Sequence, residues 1–322
     1  MLDENNAPFF VLGAARSGTT LLRLMLNRHP RLAIPPESHF LLGVLAEIPA
    51  GRELTPREIR RAAELIVGHP RFRTWHVSAD ALGAELARLG PTRLAGLVDG
   101  VYRLEIARSG KPRWGDKTPA YSPIWERLAA LFPEALFLHL IRDGRDVSSS
   151  LARVGWHGST EYERASYWAS RVAMAQDCQR RLGPARCRLI RYEDLVRQPE
   201  STLVGICRFL GEDFDPVMLR FHEDAFDHVS AFDGPVHSQL GRPPRESDAE
   251  RWRAEGSLLR ILLFESLAGE AMDRVPNRRR FGGLWRGPVA VVGLLYRGAL
   301  RIQRRPPPRQ ARPLSSPTVS QG

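Results

Sequence analysis

Between Gly13 and Thr20 the chain reads GAARSGTT, two glycines separated by four residues and followed by paired threonines. Backbone N–H groups left over at a helix start, with the positive end of the helix dipole behind them, attract phosphate or sulfate. The spacing is that of a nucleotide P-loop, except that Thr19 stands where such a loop carries its lysine. That lysine reaches the β- and γ-phosphates of a triphosphate, and the hydroxyl after it holds magnesium. Here the segment offers instead Arg16, whose planar fork suits a single terminal phosphate or sulfate, together with Gly18 and the hydroxyls of Ser17, Thr19 and Thr20. This is a cradle for a 5′-phosphoryl group rather than for a triphosphate tail. Short glycine motifs also serve as plain strand-to-helix turns, and that reading stands beside it.

Two further clusters carry chemistry. RDGR places Arg142 and Arg145 just past an apolar run, with Ser150 about two helical turns along. A second anion site there suits a nucleotide phosphorylated at both its 5′ and 3′ ends, although Asp-Gly-Arg is also a common turn. GDKTP contains Lys117 in a chain that otherwise uses arginine. Of 47 lysines and arginines only Lys111 and Lys117 are lysines, leaving 45 arginines. A compact ammonium on a flexible stem can follow charge developing on a bridging oxygen; a loop lysine can equally be a solvated charge.

These residues need elements to hold them. Phe9 to Leu12 reads as a short strand, and Leu21, Leu22, Leu24, Met25 and Leu26 recur at helical spacing, so the first cluster lies in a strand–loop–helix turn. Pro35 and Pro36 interrupt the pattern, and a new helix is expected near Ser38. Thr55 to Leu65 opens with Thr-Pro and Glu58, the signature of a capped helix, and Ala79–Leu89 and Arg93–Ala107 also have helical spacing. The spacing thus predicts a helical insertion over about 41–110 that shapes an acceptor pocket. After it come a helix through Leu131, a strand over Ala135–Ile141, the RDGR turn, a helix over Glu161–Leu182, a strand over Cys187–Tyr192 and a helix over Glu200–Leu210. Such alternation predicts an α/β fold with a parallel sheet flanked by helices. Ligands in such sheets sit at the carboxyl ends of the strands, where these turns fall.

With 322 residues, 43% hydrophobic and 26% charged, the chain has the composition of a soluble globular protein. It has no apolar run of membrane-spanning length, and Met1 to Pro8 has neither the basic start nor the apolar segment of a signal peptide, so a cytoplasmic location is expected. Cys178, Cys187 and Cys207 lack metal-ligand spacing and read as reduced structural thiols. The net charge of +11 is localised: no acidic residue follows Asp273, and Arg274 to Gly322 holds eleven arginines. Removing those from the 47 basic residues leaves 36 against 36 acidic ones, so residues 1–273 are formally neutral and the basic balance does not point to nucleic acid. The organisation expected is a catalytic domain over residues 1–275 and a basic tail over 276–322. In the tail a helix from Pro288 would set Arg297, Arg301 and Arg304 or Arg305 on one face and Val292, Leu295, Ala299 and Ile302 on another. Residues 303–322 have the composition of a disordered segment. A basic amphipathic helix followed by arginines suits an anionic membrane surface; a helix packed on the domain with a solvated tail is the other reading.

Together, RSGTT, the downstream Glu37, GDKTP, RDGR with its serine, and RYEDLV followed by a proline and a helix ending FLG resemble the PAPS-dependent sulfotransferases. The order and spacing look most like the tyrosylprotein and bacterial carbohydrate branches, from about Pro8 to Leu210 and more weakly to Arg253. The resemblance implies a P-loop-like fold and 3′-phosphoadenosine 5′-phosphosulfate as donor. It implies that Arg16 to Thr20 hold the 5′-phosphosulfate, that Arg142 and Ser150 hold the 3′-phosphate, and that Tyr192 touches the donor. Glu37 matches the catalytic base and Lys117 the catalytic lysine, with Arg16 sharing the stabilisation of the leaving oxygen. His39, two residues on, is the rival base. For Glu37 to take a proton, the expectation is that partial desolvation raises its pKa. Ser238, Gly241 and Arg242 are candidates for a late donor loop, from which the Pro243–Pro244 pair departs. No metal is expected.

Two other functions compete. A P-loop nucleotide kinase or phosphatase needs a magnesium–triphosphate site, against which Thr19 counts. A non-catalytic module binding anionic polymers through arginines would show net positive charge in the main domain, which is neutral. The acceptor is a hydroxyl compound, with carbohydrate, glycolipid and small metabolite preferred over a secretory-pathway tyrosine.

Overall fold

In a computed structural model the residues described are 6–155, 157–223, 240–275, 279–281 and 286–303. Five strands form one parallel sheet: β1 (Phe9–Gly13), β2 (Leu32–Ala33), β3 (Arg113–Asp116), β4 (Leu136–Ile141) and β5 (Cys187–Arg191), in the spatial order β2-β3-β1-β4-β5. Every pairing is parallel, so every strand ends at the same edge of the sheet, the edge where ligands sit in such folds.

The strands sort their side chains by the period of two. Phe10, Leu12 and Phe137 face one core, while Phe9, Val11, Leu138 and Leu140 face the other. The second core is covered by α1 (Thr19–Arg28) and, from later in the chain, α10 (Pro199–Leu210). The first is covered by the predicted insertion, which folds as α2 (Leu41–Glu47), α3 (Pro56–Val67), α4 (Ala79–Leu89) and α5 (Leu94–Ile106). Thr55 closes the capping box with Glu58 that its sequence announces, and Ser78 caps α4 through the N–H of Ala81. The insertion is fastened to the sheet by aromatic contact: Tyr102 of α5 stacks on Trp114 of β3 with ring centroids 4.0 Å apart.

The remaining elements are α6 (Trp125–Leu131), α7 (Gly144–Val154), α8 (Glu161–Leu182), α9 (Tyr192–Arg197), α11 (Trp252–Glu255), α12 (Leu258–Leu267), α13 (Gly269–Asp273) and α14 (Arg286–Gln303). Helix α8 is closed at its start by a Thr160–Glu163 capping box and ends before Gly183, at the bounds expected from sequence. Two expectations shift. The helix foreseen near Ser38 begins at Leu41, because the Ser38 hydroxyl turns inward to Asp116, 2.8 Å away, instead of capping. Strands β2 and β3 were not foreseen. The tail helix forms and packs on α12, so closely that a Cβ on Gly293 would lie 2.7 Å from the Ser266 carbonyl. Among the described residues no helix is long and apolar enough to cross a membrane.

Candidate active site

The GAARSGTT loop follows β1 and feeds α1, whose first residue is Thr19. The first-turn N–H groups of a helix have no intrahelical acceptor, and here no side chain caps them. Gly18 sits at φ 94°, and a Cβ there would lie 2.4 Å from the Tyr192 ring. Glycine is required both for the left-handed backbone and for the close approach of that ring. Arg16 is also left-handed, at φ 69°. Its Nε donates to Ser150 Oγ at 3.0 Å, and its carbonyl accepts from Arg142 Nη1 at 3.4 Å.

Arg142 leaves the end of β4, and Tyr192 leaves the end of β5, with the Arg142 guanidinium 4.2 Å from the Tyr192 ring centroid. The sequence-predicted donor residues Arg16, Gly18, Thr19, Thr20, Arg142, Ser150 and Tyr192 therefore line one cavity of about 490 Å³. Burial and the charges of Arg142 and Arg153 push the Arg16 pKa below its ordinary value, so a bound anion beside it would relieve that cost. Arg142 Nε is buried without a hydrogen-bond partner among the described residues. A crowd of guanidiniums, one with an orphaned donor, around a glycine cradle fits a nucleotide with two separate phosphate groups.

Some sequence expectations change. Ser17 does not line this cavity: it is buried under the loop, its hydroxyl faces a small void beside Leu140 and Trp168, and that oxygen has no partner among the described residues. Arg145 belongs to the interior. It pairs with Asp143 and Glu265, each at 2.6 Å, and lies 3.5 Å over the Trp252 ring. Of the late-loop candidates, Ser238 lies outside the described residues and Gly241 is not a lining residue. Arg242 lines the cavity, held by both oxygens of Asp248. Arg153 and Arg251 also line it. They carried no motif, and only their spacing one helical turn beyond Ser150, for Arg153, was a signal.

A second cavity, of about 340 Å³, lies on the other side of the loop and shares Arg16, Thr19 and Thr20 with the first. Its other walls include Glu37, His39, Arg71, His157, Tyr167 and Arg171. The His157 and Tyr167 rings stack at 4.2 Å. Lys117 follows β3 directly and is 1% exposed. Its ammonium donates to Glu37 Oε1 in a short hydrogen bond and to Thr20 Oγ1 at 3.3 Å. The other Glu37 oxygen meets His39 Nε2 at 2.8 Å, and His39 holds φ 53° to do so. Burial pushes the Glu37 carboxyl up, but the Lys117 charge and the hydrogen bonds from His39 and Lys117 outweigh it and hold it well below the usual carboxylate range. The raised pKa expected from desolvation is thus reversed, because the sequence showed the burial and not the partner.

A buried network that no motif announces positions this pair. Ser38, next to Glu37, and Asp116, next to Lys117, are joined at 2.8 Å. Tyr102 donates to Asp116 at 2.7 Å, and the Tyr121 hydroxyl lies 2.6 Å from Ser38 Oγ. Burial raises the Asp116 pKa despite these bonds. The insertion thereby grips both residues flanking the Lys117–Glu37 pair.

Residues 8–216 match the profile of the sulfotransferase family. The protein-tyrosine sulfotransferase of Drosophila melanogaster is 26% identical over 222 residues, 66% of this chain and 40% of that protein. Protein-tyrosine sulfotransferase 2 of Gallus gallus is 28% identical, covering 69% and 58%. Nodulation protein NoeE of Sinorhizobium fredii is 26% identical, covering 81% and 63%. The chain therefore spans between 40% and 63% of the length of these three relatives. Among solved structures, the sulfotransferase domain of the Synechococcus olefin synthase superposes with a TM-score of 0.56 at 27% identity, covering 83% of this chain and 97% of that domain. With the family profile spanning more than half of its length, and a parallel sheet that carries the motif residues at one edge, the chain belongs to the sulfotransferase family.

Proposed function

We propose that this protein transfers a sulfuryl group from 3′-phosphoadenosine 5′-phosphosulfate to the hydroxyl of an acceptor. The observation that carries the reading is the wall shared by the two cavities. Arg16, Thr19 and Thr20 belong to both, and the Lys117–Glu37 pair stands directly behind Thr20. In-line transfer needs donor and acceptor on opposite sides of the migrating group, with cations at the leaving oxygen and a base at the nucleophile. The donor supplies the sulfuryl group and leaves as adenosine 3′,5′-bisphosphate. Arg142 and Ser150 are assigned to its 3′-phosphate, and the α1 N-terminus with Arg16 to its 5′ end. Glu37 is ionised and bound to Lys117, whose charge holds its basicity down; as Lys117 turns to the departing oxygen that charge is withdrawn from the carboxylate, which then takes the acceptor proton. Lys117 and Arg16 set positive charge where the departing oxygen gains negative charge. The residues at hand call for no metal in this step.

For the acceptor, Arg71 and Arg171 in the second cavity favour a hydroxyl compound that carries negative charge, and the stacked His157 and Tyr167 give it a flat wall. An acidic saccharide and a tyrosine in an acidic peptide both have these features, and two relatives bear the name protein-tyrosine sulfotransferase. Thermal unfolding with adenosine 3′,5′-bisphosphate, compared with ATP and magnesium, tests the donor. A ligand at a hundred times its Kd adds about 2.7 kcal/mol. A shift with ATP and magnesium alone would replace this reading with a kinase. Labelled donor offered to acidic polysaccharide and acidic tyrosine peptide then separates the acceptors.

A membrane-facing role for the tail rests on exposed apolar residues: Val291, Leu294 and Leu295 on α14, and Leu258 and Leu259 on α12, the helix it packs against. Sedimentation with phosphatidylglycerol vesicles should pull down the native chain and lose most of the L294D/L295D double variant. Equal pelleting removes the idea.

A further inference from the structure

Three soft donors converge inside the sheet, away from both cavities. His139 lies on β4, opposite Leu189 of β5, and Cys187 is two residues earlier on that strand, opposite Phe137. The period of two puts the imidazole and the thiol on one face of the sheet. Helix α8 crosses that face and brings Cys178 to them. All three residues are fully buried, and their ligating atoms lie within 4.8 Å of one another.

The imidazole is the unexplained part. Among the described residues neither Nδ1 nor Nε2 of His139 has a hydrogen-bond partner, although the side chain is 0% exposed. Leaving a buried polar group unsatisfied costs about 1–3 kcal/mol, and an apolar residue would fill this position without that cost. Cys178 and Cys187 are reduced and adjacent. Cys207, the third thiol, stands in the other core against Met218 and is no part of the group.

We propose that His139, Cys178 and Cys187 form a structural site for a thiophilic d10 metal ion, copper(I) in preference to zinc(II), which ties β4, β5 and α8 together beneath the donor-binding edge. Two thiolates and one imidazole with no fourth side chain in the group suit a three-coordinate soft ion, whereas structural zinc takes four protein ligands. Metal–sulfur bonds of about 2.3 Å and metal–nitrogen bonds of about 2.0 Å require donors roughly 4 Å apart, which small side-chain rotations reach from the present separations. Binding releases both thiol protons to solvent and changes no oxidation state. Because the group is enclosed, the ion enters as the chain folds.

The test refolds the full chain anaerobically with a reductant, in copper(I) alone or zinc(II) alone, removes loosely bound ion with a chelator, and measures metal per chain. The expected result is one copper per chain, with zinc at a fraction of that. C207A should keep the copper, and C178A, C187A and H139L should each lose it. A cooperative urea transition shows that a variant has folded. If a variant does not fold, X-ray absorption at the copper edge of the native protein decides, and must show two sulfur neighbours and one nitrogen. Stoichiometry near zero overturns the proposal, as does copper retained in the C178A or C187A variant, a sulfur-free copper shell, or a Cys178–Cys187 disulfide in place of bound metal. Equal zinc and copper loading overturns the preference for copper(I).

Discussion

Replacing Lys117 by methionine should remove stability that the native protein has only while Glu37 is ionised. Lys117 is 1% exposed and its ammonium is bound to Glu37, which burial alone would push toward the protonated form. Removing one partner of a buried pair costs about 3–5 kcal/mol, because the other charge is left in a poor solvent. Glu37 keeps some exposure and its bond to His39, so the lower end applies, about 3 kcal/mol. At 1.36 kcal/mol per pKa unit this lifts the carboxyl by about 2 units. The two proteins then differ in how their stability depends on pH. In the native protein the folded pKa is depressed, so the pair stabilises fully above the unfolded Glu value of about 4.3 and its contribution fades as pH falls below it. In K117M the carboxyl returns toward that unfolded value, so the variant lacks this contribution and most of the pH dependence that goes with it. Urea unfolding of the native protein, K117M, E37Q and the double variant between about pH 3 and pH 7 measures this. The gap between the native protein and K117M should be about 3 kcal/mol near neutral pH and narrow as pH falls below about 4.3, and E37Q should cost far less in the K117M background than in the native one. A gap that stays constant across the range, with E37Q equally costly in both backgrounds, would refute the coupling.

Other outcomes follow from the same geometry. G18A should abolish the thermal shift from adenosine 3′,5′-bisphosphate, since left-handed backbone costs a non-glycine residue about 1–2 kcal/mol and the new Cβ collides with the Tyr192 ring; an unchanged shift would remove the loop from the donor site. Y102F should leave that shift intact and lower turnover, because Asp116 loses one of its two donors and the Lys117–Glu37 alignment loosens; an unchanged rate would make the network purely structural. E37Q should keep donor binding and lose most turnover, and an undiminished rate would transfer the role of base to His39. R145M should lower stability by about 3–5 kcal/mol in urea, since it strands Asp143 and Glu265 in the interior, and a neutral effect would contradict the buried assignment.

Much of the scaffold was legible because local signals agreed with the global fold. Strand β4 is a short, mostly apolar run that ends at the RDGR turn, and α4 and α8 carry their start and stop signals at Ser78, Gly90, Thr160 and Gly183. Strand β3 was hidden because its sequence, RWGD, has a charge at each end and a glycine within. It is a strand for tertiary reasons: Gly115 leaves room for the Phe9 ring, which a Cβ would meet at 2.4 Å, and Arg113 Nε donates to the Ala7 carbonyl at 2.6 Å. At the site, motif residues were legible and their state was not. The carboxyl of Glu37 looked like a group that burial would neutralise, but its ionisation depends on Lys117, eighty positions away. Ser38 and Asp116 were invisible as anything but neighbours of more conspicuous residues. The Cys178, Cys187 and His139 group likewise has no linear spacing to announce it, since a sheet register and a helix crossing bring it together.

The two phosphate subsites proposed above are mechanically one object. Arg16 carries the left-handed backbone that bends the loop into its cradle, and the groups that hold it there are Ser150, on its Nε, and Arg142, on its carbonyl. Both are residues assigned to the 3′-phosphate. Arg142 in turn stacks on Tyr192, whose ring rests where a Gly18 side chain would be. Contacts with the 3′ end of a donor therefore act on the same side chains that shape the loop around its 5′ end. On the proposed function, this gives a physical reason for a donor phosphorylated at both positions: the second phosphate would add its own ion pairs and also fix the geometry in which Arg16, Thr19 and Thr20 face the second cavity.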